Sequence, residues 1–154
     1  MAGNSHWLPS AACLIEGRMR YLLDTNACVA ILRAKPKTVA THLRQAASRG
    51  DDILLSSIVL HELWYGVYKS SRVAEQAQHL ANFLTAPMEI VVFDEHDAKI
   101  AGETRGTLES AGNRIGAFDT LIAAQCLHQI CTLVTANVSE FSRVKGLKCE
   151  DWTT

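Results

Sequence analysis

Tyr21-Leu22-Leu23-Asp24-Thr25-Asn26 is a short apolar run that ends abruptly in a carboxylate, a hydroxyl and an amide, and an apolar stretch, residues 27–32, resumes at once. The pattern reads as a buried strand delivering Asp24 to its C-terminal tip, with a helix starting just beyond. In open parallel α/β sheets the carboxyl ends of the strands are where ligands and chemistry gather. A carboxylate there directs attention to what the rest of the chain places beside it.

Working outward, residues 27–34 read as a short helix stopped near Lys35-Pro36, because proline cannot continue it. Thr38 is placed to cap a second helix running to about Ser48. Residues 53–56 read as a second buried strand, after which Ser57 caps a helix to about Lys69. A helix over 73–84 precedes a third strand, Glu89-Ile90-Val91-Val92, rich in the β-branched residues that suit a pleated surface. Asp94 opens a long helix to about Ser110, and Gly112-Asn113-Arg114-Ile115-Gly116 is a loop. A helix over 118–129, a fourth strand over 132–134 and a short fifth at Lys148-Cys149 complete the chain. This alternation predicts one compact α/β domain with a mainly parallel sheet of four to five strands and helices on both faces.

At 154 residues the chain is long enough for one domain with a real core. A formal net charge of −1 excludes a strongly basic nucleic-acid coat, though not a local basic surface. No apolar run reaches the ~18–20 residues that span a bilayer. The five cysteines form no Cys-x-x-Cys pair, so their spacing suggests neither a zinc knuckle nor a redox pair, and a reducing, cytoplasmic setting is expected. Residues 1–18 read as a leader detached from a domain spanning 19–154. Ile15-Glu16-Gly17-Arg18 resembles an engineered protease site, and the alternative is an upstream extension of a chain starting at Met19. A secretory signal fits poorly there.

Each acid has a structural and a functional reading. Asp24 is good helix-capping chemistry and equally a strand-end ligand. Glu62 shares a helix face with Ile58, Tyr65 and Gly66, while Val59, Leu63 and Val67 form another face, with Leu60 and Trp64 between them. Most of that circumference is apolar and is expected to be buried, where a carboxylate is costly unless something pairs with it. A solvated gap in the stripe is the other reading. Asp119 near Gly116 is either a first-turn acid favoured by the helix dipole or a ligand. Asn137 and Glu140 follow the fourth strand and offer oxygen ligands or turn and capping chemistry. Taken jointly, these strand-end and helix-start oxygens converge on one sheet edge. Clustered carboxylates call for a cation, and an all-oxygen set selects a hard ion such as Mg²⁺ or Mn²⁺. The competing run Asp94-Glu95-His96-Asp97 is explained by capping and the helix dipole and is given a structural role. His42, His61, His79, His96 and His128 show no metal-type spacing, and His61 is of interest only as the neighbour of Glu62.

Four motifs in order carry a resemblance: Leu22-Leu23-Asp24-Thr25-Asn26; Ser56-Ser57 with Glu62-Leu63-x-x-Gly66; Ile115-Gly116-x-x-Asp119-x-x-Ile122-Ala123-Ala124; and Leu133-Val134-Thr135-x-Asn137-x-x-Glu140-Phe141. Together they resemble the PIN-domain ribonucleases. The tail from Phe141 through Trp152 is similar to that of the VapC toxins of bacterial toxin–antitoxin pairs. The resemblance implies a three-layer sandwich and a Mg²⁺- or Mn²⁺-dependent endoribonuclease. It further implies a homodimer, inhibition by a VapB-like antitoxin, and operator DNA met only through that antitoxin. It places Asp24, Glu62 and Asp119 at the family's catalytic and metal-binding positions. Asn137 stands where an Asp is common, Glu140 could compensate through a water, and Thr135 matches the hydroxyl near the metal. Arg114 is the candidate phosphate contact, against a solvated loop arginine as the alternative. Arg33, Lys35 and Lys37 offer salt-sensitive attraction to an RNA backbone. Substrates implied are RNA, structured RNA such as tRNA among them. Two rivals are a non-catalytic binding module on the same fold and a haloacid-dehalogenase-type phosphatase. The phosphatase motif needs a second Asp where Asn26 stands.

Overall fold

A computed structural model describes residues 17–154. Residues 1–16 of the expected leader lie outside the described residues. The elements in chain order are β1 (Arg20–Leu23), α1 (Thr25–Arg33), α2 (Lys37–Ser48), β2 (Asp52–Ser56), α3 (Ser57–Lys69), α4 (Val73–Phe83), β3 (Glu89–Val91), α5 (Glu95–Ser110), α6 (Ala117–Gln129), β4 (Thr132–Val134), α7 (Val138–Phe141) and β5 (Lys148–Glu150).

The five strands form one sheet, ordered β3-β2-β1-β4-β5, and every pairing is parallel. The central strands β1, β2 and β4 read as continuous apolar runs because helices cover both of their faces. Leu22, Leu23, Leu54, Leu55 and Leu133 are fully enclosed. The edge strand β3 is short, and Ile90 on it is 48% exposed.

Chain progression reverses at β1: β2 and β3 lie on one side, β4 and β5 on the other. Such a reversal opens a crevice at the carboxyl ends of the strands on either side of it. The Asp24 N–H continues the ladder one residue beyond β1 by donating to the Val134 carbonyl at 3.0 Å. That bond closes the crevice floor. Trp152 and Phe141, both fully buried, fill the core on the β4–β5 side, and Trp152 meets the Tyr21 ring edge-on at 5.0 Å between centroids.

The alternation of elements follows the sequence reading, with local corrections. Thr38 is not a cap: Pro36 occupies the N-cap of α2, which has no side-chain cap. The cap of α3 is Ser56, whose hydroxyl accepts from the Ile58 N–H, while Ser57 starts the helix and accepts from the Phe93 N–H. Helix α1 begins at Thr25 and not at Ala27, because Asp24 caps it. The turn after β4 contains a further short helix, α7, four residues long. A run this short has no apolar period of its own to read in the sequence.

Candidate active site

Asp24 serves as both cap and site residue. Its Oδ1 accepts the Ala27 N–H at 2.7 Å, which ties the carboxylate to the first turn of α1. The side chain is almost wholly buried. Burial raises its pKa above the ordinary carboxylate value, and the charges of Glu62 and Asp151 push the same way. Hydrogen bonds from the Thr135 hydroxyl and the Ala27 N–H act in the opposite sense.

Glu62 comes from α3. Its Oε1 accepts the Thr25 hydroxyl at 2.8 Å, so the residue next to Asp24 holds the second acid in place. The expectation that most of the circumference of α3 is buried is met only in part. Val59, Leu63 and Val67 form the single buried stripe, whereas Tyr65 and Tyr68 are 61% and 69% exposed. Helix α3 packs on β2, α1, α4 and α6, with Ile58, Leu60 and Trp64 half-buried beside that stripe, while His61, Tyr65 and Tyr68 are open to solvent. Glu62 is half-buried at the margin, where it reaches the crevice and solvent together.

Asp119 sits in the first turn of α6. Its pKa is raised to about 6, first by burial and then by the charges of Glu140, Asp24 and Glu62. Four carboxylates delivered from β1, α3, α6 and α7 therefore face one another. Gly116 lies so close that a Cβ there would stand 3.1 Å from the Asp119 Oδ2, leaving no room for a side chain without displacing the carboxylate.

The turn after β4 braces this arrangement. The Asn137 N–H donates to the Thr135 hydroxyl at 3.0 Å, and its side-chain amide donates to the Glu140 Oε2 at 2.5 Å. The Glu140 Oε1 accepts the Gly116 N–H at 3.2 Å. Both oxygens of Glu140 thus have donors, and through Gly116 it ties α7 to the loop that starts α6. Arg114 is exposed in that loop, and its carbonyl accepts from the Arg143 guanidinium at 3.0 Å. No hydrogen bond or ion pair joins the Arg114 guanidinium to the carboxylates. His61 is exposed, with its ring 5.6 Å from that of Phe118.

Three contributors escaped the reading of individual acids. Thr25 lies beside Asp24 in sequence, yet its partner is 37 residues away. Gly116 reads as the end of a loop and a motif position, with no sign that its missing side chain makes room for the Asp119 carboxylate. Asp151 reaches Asp24 electrostatically because β5 lies beside β4.

The donor set suits a hard divalent ion: carboxylates that raise one another's pKa are relieved by positive charge, and only oxygens are offered. The site holds its acids somewhat apart. The side chains with donor atoms all within 4.8 Å of one another, among the described residues, are instead Asp94, Asp97 and His128. That second group is already engaged, as its capping role predicts. Asp94 Oδ1 accepts the N–H groups of His96 and Asp97, and Asp97 Oδ2 accepts the Asp94 N–H. Asp97 Oδ1 meets the His128 Nδ1 at 2.6 Å in the core. It braces α5 against α6, whereas the crevice group faces open space.

The sequence matches the PIN domain family over residues 21–147. It is 40% identical over 134 residues to the ribonuclease VapC2 of Rickettsia felis, covering 87% of this chain and 98% of that protein. The chain belongs to the PIN-domain family of VapC ribonucleases. This PIN domain is also 31% identical to the tRNA(fMet)-specific endonuclease VapC of Salmonella typhimurium, over 87% of this chain and 98% of the relative. Its fold superposes with a TM-score of 0.81 on a chain in the crystal structure of VapBC2 from Rickettsia felis bound to a promoter DNA fragment, at 38% identity over 87% of this chain and 99% of that one. The chain is an RNA-cleaving hydrolase of the toxin–antitoxin type, as the sequence motifs indicated.

Proposed function

We propose that this PIN domain is a Mg²⁺- or Mn²⁺-dependent endoribonuclease toxin whose site is Asp24, Glu62 and Asp119. The observation that carries the reading is the convergence of these acids with Glu140 at the switch point of the sheet, where Asp119 is raised to about 6. Asp24, Glu62 and Asp119 would hold the ion, and Asn137 and Glu140 would support it. A divalent ion there supplies positive charge to a phosphodiester and acidifies water near neutral pH. Thr25 orients Glu62, which stands at the solvent margin where it can accept a proton from an attacking water. Asp24 stays fixed by its cap bond and by Thr135. Arg114, at the rim of the loop before Asp119, meets the RNA backbone, and Arg33, Lys35 and Lys37 extend that attraction.

Structured RNA, tRNA included, is the proposed substrate, by analogy with the tRNA-specific relative. A VapB-like antitoxin is the proposed inhibitor. A groove of about 520 Å³ runs from Thr25 and Glu62 between α1, α3 and α4 past Arg33 and His79, and its mostly apolar walls suit an amphipathic segment that would block Glu62. The exposed rings of Tyr65, Tyr68 and Phe118 support a homodimer. Operator DNA is reached only through the antitoxin. No helix among the described residues is long and apolar enough to cross a membrane. We place the protein in the cytoplasm, in keeping with its free cysteines.

The test is RNA cleavage by purified protein with Mg²⁺, with Mn²⁺ and with a chelator. Asp24→Asn and Asp119→Asn should each lower the rate by at least about 100-fold, a loss on the scale of removing a metal ligand's support or a charge-stabilising group. Wild-type rates in both variants, with Mg²⁺ present, would overturn the assignment. Metal-dependent thermal stabilisation that vanishes in Asp24→Ala separates a nuclease from a non-catalytic module on the same fold.

A further inference from the structure

The end of α6 remote from Asp119 carries a second chemical feature. Ile130 follows the helix in the left-handed region, at φ 51°. Its N–H donates to the Leu127 carbonyl at 3.3 Å, and the Cys131 N–H donates to the Cys126 carbonyl at 3.2 Å. This is the Schellman closure, in which the second residue beyond the helix is laid against the residue three positions before its end. Both of those residues are cysteine here. Their sulfurs stand 3.2 Å apart, and the Cys126 thiol donates to the Cys131 carbonyl at 3.1 Å. A disulfide needs ~2.05 Å between sulfurs, so about 1 Å of side-chain rotation closes the gap while the backbone stays tied by its two cap bonds.

Access is unequal. Cys126 is fully buried, whereas Cys131 is partly exposed. Both line a hollow of about 260 Å³ on the face opposite the carboxylates, bordered by Met19, Thr132 and Lys148. Cys149 on β5 is also a free thiol and lies near enough to act electrostatically on Cys126, but the sulfur–sulfur contact is between Cys126 and Cys131.

We propose that Cys126 and Cys131 form a thiol–disulfide modification site that exchanges with a small disulfide of the glutathione type. Cys131 gives its proton to solvent and its thiolate attacks one sulfur of oxidised glutathione. That S–S bond breaks, a mixed disulfide forms on Cys131, and the departing glutathione thiolate takes up a proton. Cys126 then loses its proton and attacks the Cys131 sulfur, expelling the second glutathione as its thiol. Two protein thiols are oxidised to one disulfide, and one oxidised glutathione is reduced to two thiols. The accessible sulfur attacks and the enclosed one resolves. The closed loop lies wholly within the cap of α6, so the carboxylate crevice keeps its geometry and RNA cleavage stays unchanged. This site is independent of the nuclease reading.

The full chain, reduced and then exposed to oxidised glutathione, is alkylated with iodoacetamide and mapped after trypsin digestion. Residues 115–143 form one tryptic peptide holding Cys126 and Cys131 and no other cysteine. The expected result is loss of both alkyl groups from that peptide and a mass two hydrogens lower, with full reversal by reduced glutathione. Cys126→Ala should trap one glutathione on Cys131, and the more exposed Cys131→Ser should take up none. Full alkylation of the wild-type peptide, a mixed disulfide that persists in wild type as it does in Cys126→Ala, or a cross-link to the peptide bearing Cys149 would each overturn the proposal.

Discussion

Replacing Asp119 by Asn should make the metal-free protein more stable while removing its activity. Burial and the facing charges of Glu140, Asp24 and Glu62 lift Asp119 from 3.8 to about 6. At ~1.36 kcal/mol per tenfold step, that difference corresponds to about 3 kcal/mol of unfavourable charge in the folded state. Asp119 is only half-buried, and solvent screening reduces the figure to about 1–1.5 kcal/mol. For a domain of this size the gain amounts to roughly 3–5 °C in Tm. The pH dependence identifies the cause. The folded wild type holds the Asp119 proton more tightly than the unfolded chain, so its stability falls as pH rises between about 4 and about 6. Asn has no such titration. The variant should melt with the wild type below pH 4, draw ahead through that window, and keep its full advantage above pH 7. Saturating Mg²⁺ should then raise the wild type and leave the variant where it was. Differential scanning calorimetry across pH 3.5–8, with chelator and with Mg²⁺, reads all of this. Equal or lower Tm for the variant at pH 8, or an advantage that survives at pH 3.5, would refute the charge-crowding account.

Other substitutions probe the supports of the site and of the fold. Thr25→Val removes the hydroxyl that holds Glu62 at 2.8 Å. It should cost about 0.5–1.5 kcal/mol of stability and about tenfold in kcat, read by denaturant unfolding and by steady-state cleavage of a fluorogenic RNA. Gly116→Ala puts a methyl 3.1 Å from the Asp119 Oδ2 without backbone strain, since φ there is −57°. Cleavage should fall by about tenfold or more while Tm shifts by only a few degrees, a split that distinguishes a displaced carboxylate from a damaged fold. Asp97→Ala breaks the buried contact to His128 and half of the capping box of α5. It should cost about 2–4 kcal/mol in urea unfolding yet leave the activity per folded molecule intact, because that cluster is structural.

Legibility in the sequence followed the range of the interaction involved. Asp24, Glu62 and Asp119 stood out as candidates because each lies at an abrupt change of polarity beside a strand end or on a helix, and because four motifs in order set them at matching family positions. Those changes are local, within one turn or one strand. The exposure of α3 on the Tyr65 side is not legible, because a tyrosine at helical spacing reads as core until the packing of the neighbouring helices leaves that face uncovered. The Ser56 cap was one residue away from the expected Ser57, since two adjacent hydroxyls offer the same capping chemistry until the backbone chooses. Cys126 and Cys131 show no Cys-x-x-Cys spacing. Their contact arises from the left-handed turn at Ile130, a β-branched residue that gives no sign of adopting it.

The chain by itself determined the alternation of elements and the parallel sheet, because hydrophobic period and capping chemistry act between near neighbours, and it offered Asp24, Glu62 and Asp119 as candidates through the order of its motifs. Only the tertiary structure decided that β1 is the central strand with β2 and β4 beside it, that Thr25 holds Glu62, and that Glu140 ties Gly116 beside Asp119. The two side-chain hydrogen bonds join residues 37 and 24 positions apart, and the β1–β4 register joins Tyr21 to Thr132. Their geometry is set when the helices dock on the sheet, a step that no local pattern encodes. The raised pKa of Asp119 belongs to the same level, since it comes from burial and from charges that meet only in the folded crevice.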